Sequence, residues 1–291
     1  MQASKQGDTE MAIGYSQNFG MERKIIATAL NAFSRKRYIQ RQELMRLLGV
    51  GDNKAEATVT WLGYLGLRDN MNSELTAFGN SLLTFDPNFE DPITQWVFHY
   101  KLASNPEAEV WYVLTNEFLP NRTRFSSEDA IDFLASNGLR SKNDKHLRSD
   151  VSIFLRSFIS KEALGKTEYL KTESQPKRTV SQNKFYKNPP SSISPYLVAY
   201  VIFDQRENNS PNLSTITIQE LLDLKGNVGR VFSLNRKGLE EVLRLLSSSQ
   251  HDRLVDLSTT AGLDQVGLMF KGRPLDILEM YYIKREKDET F

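Results

Sequence analysis

The fold turns on residues 40–83, which run Gln40-Arg-Gln-Glu-Leu-Met-Arg-Leu-Leu-Gly-Val-Gly51, then Asp52-Asn-Lys-Ala-Glu-Ala-Thr-Val-Thr-Trp-Leu-Gly-Tyr-Leu-Gly-Leu67, and close on Glu74-Leu-Thr-Ala-Phe-Gly-Asn-Ser-Leu-Leu83. Leu44, Leu47 and Leu48 stand at i, i+3, i+4, the apolar stripe of a short amphipathic helix. Gly49-Val50-Gly51 supplies a tight turn, because glycine takes left-handed backbone angles without a steric penalty. Asp52 or Asn53 is placed to cap a second helix, with Ala55, Val59 and Leu62 along one face. Helix, glycine turn and helix together spell a helix-turn-helix, whose second helix enters the DNA major groove by its N-terminal residues. Leu67 to Leu75 is short and turn-rich, as a small wing would be, and a further helix starts at Thr76. The unit therefore reads as a winged helix-turn-helix; an ordinary helical hairpin is the competing reading.

Upstream, Ile25, Ile26, Ala29, Leu30 and Phe33 give a helix over 22–33 a wide buried face. Its end meets Arg35, Lys36 and Arg37, cations that suit a helix C-terminus and also suit phosphate contact. Residues 1–13 read as a disordered tail and 14–85 as the winged unit. Downstream, 86–164 reads as a helical domain with helices over 93–103, 106–119, 127–135 and 145–160. His99, set among aromatic residues, reads as a hydrogen-bonded core side chain rather than a base or ligand. Residues 165–194 are polar, Lys/Arg-rich and proline-containing, and read as a basic linker or loop. From 195 to 291 helices, then a hairpin formed by 254–257 and 266–270, then a helix from Pro274 suggest a second winged-helix-like module. The fold class is mainly α with small β hairpins.

Composition narrows the functions. The 291 residues are enough for more than one core, and a net charge of +1 excludes a protein that coats nucleic acid by bulk charge. The charge is uneven: twelve Lys/Arg against five Asp/Glu lie between Arg140 and Lys187, three against nine between Ser81 and Asn137, and eight against three from Glu22 to Lys54. There is no cysteine, which removes disulfides and thiol chemistry and fits a cytoplasmic setting. No apolar run is long enough to span a bilayer, so a membrane partner is not expected.

No nucleotide-binding glycine loop, HExxH or nucleophile elbow is present, and His99, His146 and His251 lie far apart. Acid groupings occur at Glu90-Asp91, at Glu128, Asp129 and Asp132, and at Glu240-Glu241. Their spacing also satisfies helix capping, and no catalytic residue is assigned. For DNA contact, Asn53, Lys54 and Thr58 follow the start of the second helix, where Asn pairs with adenine, Lys with guanine or phosphate, and the Thr methyl with thymine. Arg35, Lys36, Arg37 and Arg41 are candidate phosphate contacts, and Arg230, Arg236 and Lys237 are their counterparts in the C-terminal module.

Beyond these readings, Leu48-Gly-Val-Gly-Asp-Asn53, Trp61-Leu-Gly-Tyr-Leu-Gly-Leu67, Leu75-Thr-Ala-Phe-Gly79, Asp86-Pro87, Glu90-Asp91 and Trp96-Val-Phe-His-Tyr-Lys-Leu-Ala103 resemble a bacterial domain-of-unknown-function family encoded beside PAPS-reductase-like genes. That family includes the SspB component of Ssp-type DNA phosphorothioation systems. The likeness is good over 14–118 and weaker beyond, where Thr259-Thr-Ala-Gly-Leu263 and Ile277-Leu-Glu-Met-Tyr-Tyr282 carry it. The resemblance implies DNA modification and anti-phage defence, alongside a cysteine desulfurase, a PAPS-reductase-like sulfur transferase and an ATPase. It also implies DNA nicking, which would require Mg²⁺ or Mn²⁺. One departure bears on nicking: family members open with Gly-His-Glu-Thr-Phe, where this chain has Tyr15-Ser-Gln-Asn-Phe19. Three readings follow: a double-stranded DNA-binding component that positions DNA for partner enzymes, a metal-dependent nickase, or a non-catalytic assembly scaffold. A homodimer is compatible with each.

Overall fold

Helix α1 (Arg23–Arg35) turns Ile26, Ala29, Leu30 and Phe33 inward against α2 (Arg41–Leu48) and α3 (Asp52–Tyr64). The computed structural model describes residues 19–173, 184–258 and 264–289. The tail expected over 1–13, the variant segment at Tyr15 to Asn18 and the Thr259–Leu263 turn lie outside them. Gly49 ends α2 in the left-handed region at φ 64°, as its lack of a side chain allows. The start of α3 differs from expectation: Gly51 is the N-cap, and Asp52 sits in the first turn, where an acid complements the helix dipole. Leu44 is buried as read, but Leu47 is 51% exposed and looks into an open groove instead of the core.

The segment after α3 doubles back through a single antiparallel bridge between Arg68 and Leu75 and enters α4 (Ala77–Phe85), capped by Thr76. Gly79 is obligatory here, because a Cβ would collide with the carbonyl oxygen of Leu67. Helix α5 (Pro92–Ser104) follows, with ten of its side chains from Ile93 to Ala103 buried. The helix expected over 106–119 is in fact composite. It runs as α6 (Glu109–Val113), a π turn over Leu114–Phe118 and a 3₁₀ turn over Leu119–Asn121. Asn116, in the π turn, donates to the carbonyls of Ala103 and Tyr112 and accepts from the Gly226 amide, which holds the distortion in place.

Next come β1 (Arg124–Ser126), α7 (Ser127–Ser136), α8 (Lys145–Ile159), β2 (Leu170–Thr172) and β3 (Lys184–Lys187). The stretch read as a linker thus contributes two strands, which close an antiparallel sheet ordered β1-β3-β2. Their polar, lysine-rich sequence hides this, since only Leu170 and Phe185 of the two strands are buried.

The chain continues through α9 (Pro195–Asn209), β4 (Thr215–Thr217), α10 (Ile218–Asp223), α11 (Val228–Phe232), α12 (Arg236–Leu246), β5 (Val255–Ser258) and β6 (Gln265–Leu268). Strands β5 and β6 pair as expected, and β4, which the sequence reading missed, joins them in the order β4-β6-β5. Both sheets therefore share one path: a strand leading directly into a helix, one further helix in the first sheet and two in the second, then a hairpin whose last strand is central. Each entry is fixed by a reciprocal capping box, Ser126 with Asp129 and Thr217 with Glu220. Left-handed glycines follow each helix, at Gly138 (φ 80°) just past α7 and at Gly226 (φ 74°) three residues past α10, as Gly49 does directly after α2. The N-terminal helices with their single-bridge hairpin repeat this path in reduced form.

Helix α13 (Pro274–Glu289) packs chiefly on α9 and also on α4, joining the last described helix to the N-terminal helices. Its Tyr282 stacks on Phe85 and shares a hydrogen bond with Thr94, whose hydroxyl also donates to the buried Asp86. Arg285 pairs with Asp91, which is 1% exposed and also accepts from Tyr281 and from the Ile93 amide. One continuous apolar core runs through all these elements.

Candidate nucleic-acid interface

The glycine turn sets the start of α3 at the surface, with Asn53 exposed and Lys54 partly so. Thr58 corrects the sequence reading: it is 4% exposed, and its hydroxyl donates to the Lys54 carbonyl at 2.7 Å. The buried face of α3 runs through Ala55, Thr58, Trp61, Leu62 and Leu65, whereas the expected marker Val59 is only partly buried. At 3.6 residues per turn, position 58 falls between 55, 61 and 62 on that face.

The candidate phosphate contacts are exposed but mostly engaged. Lys36 pairs with Glu43 at 2.6 Å, Lys54 with Glu22 at 2.7 Å, and Arg41 with both Asp52 and Glu56. Asp52, hydrogen-bonded to the Arg41 guanidinium, raises its pKa. Arg37 pairs with Glu74 at 2.8 Å and donates to the Asn72 carbonyl, which pins the 68–75 hairpin beside α2. Arg35 is exposed and makes no ion pair among the described residues; with Lys24 and Lys36 it edges an open groove of about 950 Å³ between α1 and α2. Exposed pairs of this kind contribute about 0–1 kcal/mol each, so a phosphate can replace the carboxylate partner at little cost.

In the C-terminal repeat, Arg236 pairs with Asp264 at 2.5 Å and Arg230 lies 3.8 Å from Asp223. Lys237, at the start of α12, is exposed and makes no ion pair among the described residues.

The acid groupings are largely absorbed by structure. Glu90 bridges Lys166 at 2.8 Å and Arg23 at 3.2 Å, and the Lys166 ammonium foremost, with Arg23, holds its carboxyl below the usual range. Arg23 is itself buried and donates to the carbonyls of Phe89 and Lys161. Glu128 pairs with Arg148, Asp132 with Lys142 and Glu240 with Arg244, while the Ser126 amide and hydroxyl lower the carboxyl of Asp129. Among the described residues no three acid, histidine or cysteine side chains are placed to hold a metal ion. His99 is a core residue as read: buried, it donates from Nε2 to the Val231 carbonyl and accepts at Nδ1 from the Trp111 indole.

A family described as a protein of unknown function (DUF4007) matches residues 19–282. In structure the chain is similar to a magnesium ion-bound SspB crystal structure, at 18% identity and a TM-score of 0.73, over 94% of this chain and 90% of that one. A second SspB crystal structure matches at 18% identity and the same TM-score, over 92% of this chain and 87% of that one. At this identity the likeness is one of fold. No curated protein matches the chain.

Proposed function

The chain belongs to the DUF4007 family of proteins of unknown function, and from that premise we propose that it is the double-stranded DNA-binding component of an Ssp-type phosphorothioation and anti-phage system, holding DNA for partner enzymes. The observation that carries this reading is the Gly49 bend, which leaves the first turn of α3 exposed behind a short hairpin. In this reading the strand–helix–helix–hairpin path is that of a winged helix-turn-helix. Asn53 would meet base edges, while Lys36, Arg37, Arg41 and Lys54 would exchange carboxylate partners for phosphates and the exposed Arg35 would meet one directly. The partners would be a cysteine desulfurase, an ATPase and a PAPS-reductase-like sulfur transferase, as the family resemblance implies.

Duplex binding in a gel shift tests the reading. Lys54→Ala with Arg35→Ala should weaken binding to every sequence, and Asn53→Ala should alter sequence preference. Undiminished binding in all of these variants would remove α3 from the interface.

A metal-dependent nickase is the second reading, favoured by the magnesium ion bound in one similar structure. The carboxylates that would hold such an ion are here turned to lysine, arginine and capping partners, except for Glu241, which is exposed on α12.

A further inference from the structure

Three helices occupy the same place in the repeated path: α3, α8 and α12. Their exposed faces differ in charge. Asp52 and Glu56 sit on the outer side of α3, and Glu240 and Glu241 on that of α12. The outer face of α8 carries Lys145, Ser149, Ser152 and Arg156 at i, i+4, i+7 and i+11, with Arg148 beside them and no acid among them. The one carboxylate within α8, Asp150, is 1% exposed on the buried side.

We infer that α8 is a second duplex-contacting helix, with Lys145 and Arg156 bound to phosphates on either side of the major groove and Ser149 and Ser152 facing the bases between them. The inference rests on the proposed DNA-binding function. Eleven residues of helix separate the two cations by about 16 Å. A major groove is about 12 Å wide, so both side chains can reach its flanking backbones while the serines lie over its floor. Lys145 and Arg156 are exposed and make no ion pair among the described residues, and neither serine hydroxyl is hydrogen-bonded among them.

The surrounding charges fit this orientation. The neighbouring acids of α7, Glu128 and Asp132, are held by Arg148 and Lys142, and the helix cap Asp144 by Arg140. Strand β3 adds Lys184, exposed on the adjoining sheet. Serine hydroxyls both donate and accept, so they serve any base, and the positively charged ends set the register.

The test is fluorescence anisotropy of the full chain with a short labelled mixed-sequence duplex across a salt series. Each lost phosphate contact lowers the log–log salt exponent by about 0.9, so Lys145→Ala with Arg156→Ala should lower it by about 1.8 and weaken binding at every salt concentration. Ser149→Ala with Ser152→Ala should leave the exponent in place and weaken binding to every duplex sequence alike. Should the double charge variant fail to fold, Lys145→Gln alone should lower the exponent by about 0.9. Wild-type binding with an unchanged exponent in the folded charge variants overturns the role of α8 while leaving the proposed function standing. A wild-type chain that binds no duplex overturns both.

Discussion

Acidification is expected to destabilise this protein through His99 before Glu90 and Asp129 protonate. The ring is buried between Val231 and Trp111, donating from Nε2 at 2.9 Å and accepting at Nδ1 at 3.0 Å. A second proton would have to sit on Nδ1, facing the indole N–H, inside a site without solvent. Burial accordingly lowers the pKa from 6.5 to about 4. The unfolded chain takes up this proton as the pH falls through 6.5, whereas the folded chain resists until about 4. Stability is therefore complete above 6.5 and declines in that interval. At about 1.4 kcal/mol per pH unit the whole interval represents about 3 kcal/mol, of which about 2 kcal/mol is lost between pH about 7 and about 5. Glu90 and Asp129, whose pKa values are depressed, contribute stability that disappears only at lower pH, as they protonate below their ordinary values. Urea unfolding followed by tryptophan fluorescence at a series of pH values reads the effect. His99→Gln keeps a donor for Val231 and an acceptor for Trp111 without the titration, and its stability should be nearly flat over the same interval. An equal decline in that variant, or an imidazole of His99 that titrates near 6.5, would refute the reasoning.

Other substitutions test the packing and the chemistry. Asp91→Ala removes a shared acceptor of Arg285 and Tyr281 and the cap of the α5 N-terminus; it should cost about 2–4 kcal/mol in urea unfolding and speed hydrogen exchange across α13. Gly79→Ala places a methyl group against the Leu67 carbonyl and should cost about 1–3 kcal/mol, with Asn80→Ala as the neighbouring control. Supercoiled plasmid incubated with the protein and Mg²⁺ or Mn²⁺ should yield no open circles above an EDTA control if the chain only binds; metal-dependent circles would instead support the nickase reading.

The local punctuation of this fold was legible in the sequence, and its repetition was not. Gly49, the caps at Thr76, Ser126 and Thr217, and the core role of His99 follow from residue chemistry that acts within a few positions. Strand β1, Arg-Phe-Ser, and strand β4, Thr-Ile-Thr, are too short to show a period and carry one buried side chain each. The middle hairpin was hidden by lysines that face away from its single layer of core. A signal did exist: Gln40, Ser126 and Thr217 each stand three residues before an acid, Glu43, Asp129 and Glu220, and each helix that follows leads to a left-handed glycine. Thr58 is hard to place from sequence because Ala55, Val59 and Leu62 also fit one helix face, and only the packing of α1 against α3 turns Thr58 and Trp61 inward instead. The ion pairs that occupy Arg37, Arg41 and Lys54 join residues from separate elements, which sequence spacing does not reveal.

The proposed function requires the surface around α3 to meet a duplex, and a salt titration of wild-type binding tests this directly. Contacts from Arg35, Lys36, Arg37, Arg41 and Lys54 imply about five phosphates if all engage, hence a log–log slope of about −4 to −5, steeper if α8 joins them. A measured slope in that range, made shallower by Arg35→Ala and Lys54→Ala, is the predicted result. A protein that fails to bind duplex at low salt, or binds it with no salt dependence, would contradict the account.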